Sequence, residues 1–85
     1  MYTVYILRCA DETLYTGITT DIVRRVGEHN HSALGARYTR GRRPVDLVYE
    51  RSFENRAVAS REEARIKKLS RNEKQALIDE KKNTL

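Results

Sequence analysis

Two short runs decide the fold: Tyr2-Thr-Val-Tyr-Ile-Leu-Arg-Cys9 and Leu14-Tyr-Thr-Gly-Ile-Thr19. Both are dense in β-branched and aromatic residues. The polar Ala10-Asp11-Glu12-Thr13 between them reads as a turn, so the pair predicts a β-hairpin. The first run is apolar at both parities, with Val4 and Ile6 interleaved with Tyr5 and Leu7. A strand covered on both faces accounts for that better than a half-exposed one. Strand side chains alternate, so the loop length decides whether Tyr5 and Tyr15 meet. A regular loop of two or four residues separates them. A three-residue loop, Asp11-Glu12-Thr13, pairs Cys9 with Tyr15 and puts both tyrosines on one face. That loop needs a residue near the left-handed region, and it contains no Gly. Gly17, inside the second run, marks a bulge or a close approach of ligand or backbone.

Moving outward, Asp21 or Thr20 caps a helix over about residues 21–32, with Val23, Val26 and Ala33 as a weak apolar face. Residues 31–44 read as a long loop ended by Pro44, and 45–51 as a third strand. Asn55 caps a helix over about 56–69. Ser70-Arg-Asn-Glu73 fits a capping box that starts a last helix running to about residue 82. The predicted order is β-β-α-β-α-α, an α+β fold in one domain over residues 1–85.

Eighty-five residues leave no room for a second domain. Seventeen Lys and Arg against 12 Asp and Glu give a net charge of +5, which favours an anionic partner: nucleic acid, an acidic membrane or an acidic protein. The excess lies late in the chain. Residues 1–30 carry three basic and four acidic groups, residues 31–85 carry 14 and eight. Arg outnumbers Lys 12 to 5, a bias suited to phosphate oxygens because the guanidinium is a rigid donor fork. One Cys and two His exclude a disulfide framework and a zinc site built from Cys and His alone. The apolar runs fall far short of a membrane span, and polar residues break up the first 20 positions, so a cytoplasmic protein is expected.

Taken together, Val4-Tyr5-Ile6 and Tyr15-Thr16-Gly17 resemble the paired signatures of the GIY-YIG nuclease domain, with both tyrosines and the glycine kept. The run from Leu14 to Val26, the run Gly35-Ala-Arg-Tyr-Thr-Arg40 and Lys67-Lys-Leu-Ser-Arg71 are similar to its small stand-alone branch, UPF0213 (YhbQ-like). The resemblance spans about residues 2–80. It implies a three-stranded antiparallel sheet flanked by helices, and hydrolysis of phosphodiester bonds in DNA, in repair or recombination, by an endo- or exonuclease that uses one divalent metal, Mg²⁺ or Mn²⁺. Residue by residue, it implies that Tyr5 and Tyr15 are the active-site tyrosines and that Arg25 contacts the scissile phosphate. It puts His29 near the attacking group and makes Glu63 the metal ligand. Glu62 is adjacent to Glu63, and either could fill that place. The family's further Asn has no match in register, Asn72 being the nearest. The alternative within the same fold is a nucleic-acid-binding module with weak or no catalysis.

The chemistry accommodates these residue types. A single carboxylate can serve Mg²⁺, which keeps waters and substrate phosphate as its other ligands. Arg25 and His29 lie one helical turn apart, with Asp21 on the same stripe. A guanidinium there would stabilise the crowded phosphorane-like transition state, and a His of near-neutral pKa could relay a proton. Tyrosine is a poor base at its ordinary pKa near 10, and a neighbouring Arg25 and a metal are expected to lower it. The loop residues Arg37, Tyr38, Arg40, Arg42 and Arg43, with Gly17, are expected to contact nucleic acid. A monomer is expected, with no membrane partner. No separate recognition domain fits, so target specificity is expected to come from a protein partner.

Overall fold

The computed structural model describes residues 1–82, so the expected domain over 1–85 extends three residues beyond the described part. Strands β1 (Tyr2–Arg8), β2 (Leu14–Thr19) and β3 (Asp46–Phe53) form one antiparallel sheet in the order β2-β1-β3. Helices α1 (Ile22–His31) and α2 (Arg37–Arg40) lie between β2 and β3, and α3 (Arg56–Lys67) and α4 (Arg71–Lys82) follow β3. The predicted order holds, with a single extra turn, α2, inside the segment expected to be a loop. Three caps are those the sequence indicates. Asp21 accepts the Arg24 amide, Asn55 accepts the Ala57 and Val58 amides, and Ser70 and Glu73 bond reciprocally at 2.9 and 3.1 Å.

The hairpin corrects the expected register by two residues while keeping its parity. Leu7 lies opposite Tyr15 and Tyr5 opposite Gly17. The three-residue loop is Ala10-Asp11-Glu12, closed by the Cys9 amide on the Thr13 carbonyl at 2.9 Å. Glu12 takes the left-handed position, at φ 69°. Asp11 stabilises the turn by accepting from the Thr13 amide and hydroxyl. Sharing of a face by Tyr5 and Tyr15 survives the shift, because a slip of two preserves side-chain parity.

The central strand is buried on both sides, as its unbroken apolar run implies. Val4 and Ile6 pack with Tyr49, Ala59, Ile66 and Ile78 against α3 and α4. Tyr5, Leu7, Cys9 and Val45 form the opposite layer with Tyr15, Ile22, Val26 and Leu47, under α1. A bulge inserts Val48 into β3, where Ile6 opposes Tyr49 but Leu7 opposes Leu47. The extra residue lets Val48 and Tyr49 pack toward the same layer while Leu47 joins the other. The side chain of Asn30 on α1 pairs with the backbone of Val45 in both directions, at 3.1 and 2.7 Å, and so ties the helix to the start of β3.

Candidate active site

Four aromatic rings converge between the hairpin and α1. Tyr5 lies on the central strand, 1% exposed, and its hydroxyl meets His29 Nε2 at 2.8 Å. Tyr15 reaches the same place from β2, with its ring 6.4 Å from Tyr5 and 5.3 Å from His29. Tyr38 from α2 stacks on Tyr15 at 5.7 Å. Gly17 explains how Tyr5 fits: a Cβ at that position would lie 2.4 Å from the Tyr5 hydroxyl oxygen. The close approach signalled by this glycine is therefore that of a side chain of the same chain. The β1–β2 register runs through it without a bulge.

His29 is completely buried, and both its nitrogens are engaged. Nε2 faces Tyr5 and Nδ1 faces Thr39 Oγ1, each at 2.8 Å. Burial first, then the charge of Arg25, pull its pKa down to about 4. The expected near-neutral value is thus corrected, and the ring is neutral at pH 7. Tyr5 is corrected in the same sense. Desolvation outweighs the favourable Arg25 beside it, and its pKa rises to about 12 instead of falling.

Arg25 does not pair with Asp21, which is occupied as the N-cap of α1. Its Nη1 donates to Glu28 at 2.8 Å and to the Leu34 carbonyl at 2.8 Å. The bond to Glu28 is the main cause that raises its pKa, so the guanidinium is charged and held beside Tyr5. The two adjacent glutamates diverge. Glu62 is clamped by Arg65 at 2.7 and 2.8 Å, and its charge acts on Tyr49, in the layer under α3 and α4. The charge of Glu63 acts on Tyr5, and among the described residues its ion pair is with Lys67 at 3.3 Å. Among the described residues no group of three or more His, Cys, Asp or Glu could hold a metal ion. A one-carboxylate Mg²⁺ site at Glu63 fits the donor set, because that ion keeps most of its ligands as water and phosphate.

The arginines expected to contact nucleic acid divide. Arg43 is spent inside the molecule, donating to the Glu28, His29 and Ser32 carbonyls at the C-terminal end of α1. That corrects its expected role, since a guanidinium capping a helix end complements the negative pole of the helix dipole. Arg42 lies 4.0 Å over the Tyr38 ring and bonds Asp11 at the hairpin tip at 3.0 Å. Arg37 and Arg40, at the two ends of α2, are exposed. Gly35 brings this segment against α1, where a Cβ would come within 2.7 Å of the Glu28 carbonyl oxygen. Sequence reasoning gave Glu28 and Thr39 no role. A threonine in a loop carries no signal until α2 folds it against His29.

The GIY-YIG catalytic domain family matches residues 1–76. The chain belongs to this family. A UPF0213 protein of Desulfotalea psychrophila is 60% identical over 75 residues, which cover 88% of this chain and 68% of that protein. One from Halobacterium salinarum is 54% identical over 78 residues, covering 92% of this chain and all of its own. The solution NMR structure of a UPF0213 protein from Bacillus halodurans superposes with a TM-score of 0.64 at 45% identity, covering 99% of this chain and 89% of that one. The GIY-YIG sheet described above is thus that of a nuclease-type fold, carried by a UPF0213 chain. Among the described residues no helix is long and apolar enough to cross a membrane.

Proposed function

We propose that this GIY-YIG domain is a metal-dependent nuclease that hydrolyses phosphodiester bonds in DNA. The observation that carries the reading is the cluster itself: Tyr5, Tyr15, His29 and Arg25 brought to one spot, with Gly17 left bare so that Tyr5 can lie there. A core built only for packing has no use for a buried phenol bonded to a buried imidazole, flanked by a half-buried tyrosine and guanidinium. Glu63 is the residue that would hold Mg²⁺ or Mn²⁺, and the ion would supply charge neutralisation and orientation of phosphate oxygens.

The remaining roles follow from the protonation states. Tyr5 is a neutral phenol whose hydroxyl lies 2.8 Å from His29 Nε2, and in this reading it donates to that nitrogen. Its oxygen lone pairs are left to accept from an attacking water, which Tyr5 would orient while its own proton passes along the 2.8 Å bond to Nε2. The charge of Arg25 opposes protonation of His29. A phosphate bound at Arg25 offsets that charge and eases the transfer, so the relay is favoured when substrate is present. Arg25 neutralises the phosphorane-like transition state. Arg37 and Arg40 hold the backbone of the nucleic acid.

The test is cleavage of a panel of single-stranded, double-stranded and branched DNA with Mg²⁺ or Mn²⁺, with RNA counterparts alongside. Glu63→Ala and Arg25→Ala should each abolish it. Cleavage that survives both changes would sink the reading. Binding should weaken as salt rises, and replacing Arg37 and Arg40 by Ala should reduce the slope of log affinity against log salt by about 2.

A further inference from the structure

The hydrogen-bond directions around His29 can be followed to an end. Tyr5 Oη is buried, and the cation beside it, Arg25, is a donor with nothing to accept. Among the described residues the acceptor within reach of the Tyr5 hydroxyl proton is His29 Nε2, at 2.8 Å. Nε2 must then carry a lone pair, and in a neutral ring the proton sits on Nδ1. Nδ1–H points at Thr39 Oγ1, 2.8 Å away, and the Thr39 hydroxyl passes its own proton to the Ala36 carbonyl at 2.9 Å. That carbonyl also receives the Thr39 and Arg40 amides of α2.

The reversed arrangement is poorer. It would make Nδ1 the acceptor of the Ala36 amide, a long bond at 3.4 Å that the first arrangement gives up in favour of Nδ1–H on Thr39 Oγ1 at 2.8 Å. It would also turn Nε2–H toward Tyr5 and take from the buried phenolic proton its 2.8 Å acceptor.

We propose that Thr39 is a positioning residue: by accepting from Nδ1–H it fixes the tautomer of His29 that leaves Nε2 to receive the Tyr5 hydroxyl, and so aims the Tyr5 oxygen lone pairs out of the core. The inference rests on the nuclease reading for its catalytic consequence and on geometry alone for the tautomer. It also gives α2 a purpose. One helical turn, held against α1 at Gly35, delivers a completely buried threonine to the back of the His29 ring.

The experiment separates the two parts. Long-range ¹H–¹⁵N correlation of the His29 imidazole at pH 7 identifies the protonated nitrogen in the intact chain, without substrate or metal. The expected result is Nδ1–H in the wild type and in Thr39→Ser, and loss of that state in the near-isosteric Thr39→Val. Nε2–H in the wild type overturns the proposal even if Thr39→Val does not fold, and so does an unchanged tautomer in a folded Thr39→Val. The cleavage assay then reads the consequence. Thr39→Val should lose about 10- to 100-fold in kcat with KM little changed, the scale seen when a residue that orients a functional His is removed. Thr39→Ser should restore it. A shifted tautomer with unchanged kcat overturns the positioning role. A wild type that shows Nδ1–H but cleaves nothing retracts the nuclease reading and leaves the tautomer assignment supported.

Discussion

The two faces of β1 are equally dry and differently built. Toward α3 and α4 the strand presents Val4 and Ile6, both 0% exposed, to Ile66 and Ile78. Those contacts ask only for shape and volume. Toward α1 the next residue, Tyr5, is 1% exposed and meets His29 and, through it, Thr39. Burial of polar groups is tolerated there because each finds a partner of the right polarity. One face makes the domain stable. The other holds a pre-organised set of hydroxyl, imidazole and guanidinium groups at some expense in stability. Mutations should therefore separate the two faces by what they damage.

The largest effect belongs to the polar face. Tyr5→Phe should cut cleavage by about 10²- to 10⁴-fold, the range expected when a proton-handling group is removed. Binding of DNA, measured without metal, should stay nearly unchanged, and the domain should remain folded. Undiminished cleavage would remove Tyr5 from the mechanism. The counterpart on the aliphatic face is Ile66→Ala. It should cost about 2–5 kcal/mol of unfolding free energy through the lost burial and the cavity left behind. Denaturant melts measure this, and cleavage per folded molecule should be normal. A variant that lost activity without losing stability would break the division of labour.

Acid should act on the polar face through His29. The folded pKa of His29 lies at about 4, against an ordinary value of 6.5. Between these values the unfolded chain binds a proton that the folded one does not, so stability rises with pH across that window. The contribution is complete above about pH 6.5 and is lost as pH falls to about 4, an effect on the order of 3 kcal/mol. Chemical denaturation at a series of pH values gives the slope. A His29→Gln variant should flatten it, and a wild type with no slope between pH 4 and 6.5 would show that the ring is not held neutral.

How much of this was legible follows the same split. The runs 2–9 and 14–19, with Asp21, Asn55 and Ser70–Glu73 as caps, indicated the element order because strand periodicity and capping are local properties of the chain. Tyr5 and Tyr15 could be put on one face from parity alone, which is why a loop misread by one position and a register wrong by two did no harm. The states of the site were not legible. Tyr5 is pushed up and His29 down by burial, which depends on where α1 and α2 close over the sheet. The arginines of residues 37–43 look interchangeable in the sequence. Only the fold assigns Arg43 to the end of α1 and Arg42 to Tyr38 while leaving Arg37 and Arg40 exposed.

The smallest expected effect concerns a flaw in the aliphatic face. Thr16 lies opposite Ile6 and therefore shares its side of the sheet, at 4% exposure. Among the described residues its Oγ1 is a buried side-chain atom with no hydrogen-bond partner. A hydroxyl left unpaired in a dry core forfeits its hydration and gains nothing in return. Valine has nearly the same shape and no such debt, and it suits a strand at least as well. Thr16→Val should therefore raise stability, by about 1 kcal/mol, which for a domain of this size is a shift of roughly 4–8 °C in Tm. Cleavage should not change, because Thr16 points away from Tyr15 and Gly17 on either side of it. Thr39→Val, the same substitution on the opposite face, should do the reverse, with activity lost through the tautomer of His29. A fall in Tm for Thr16→Val would mean that its hydroxyl is satisfied after all, and the aliphatic face would no longer be the purely nonpolar counterpart of the site.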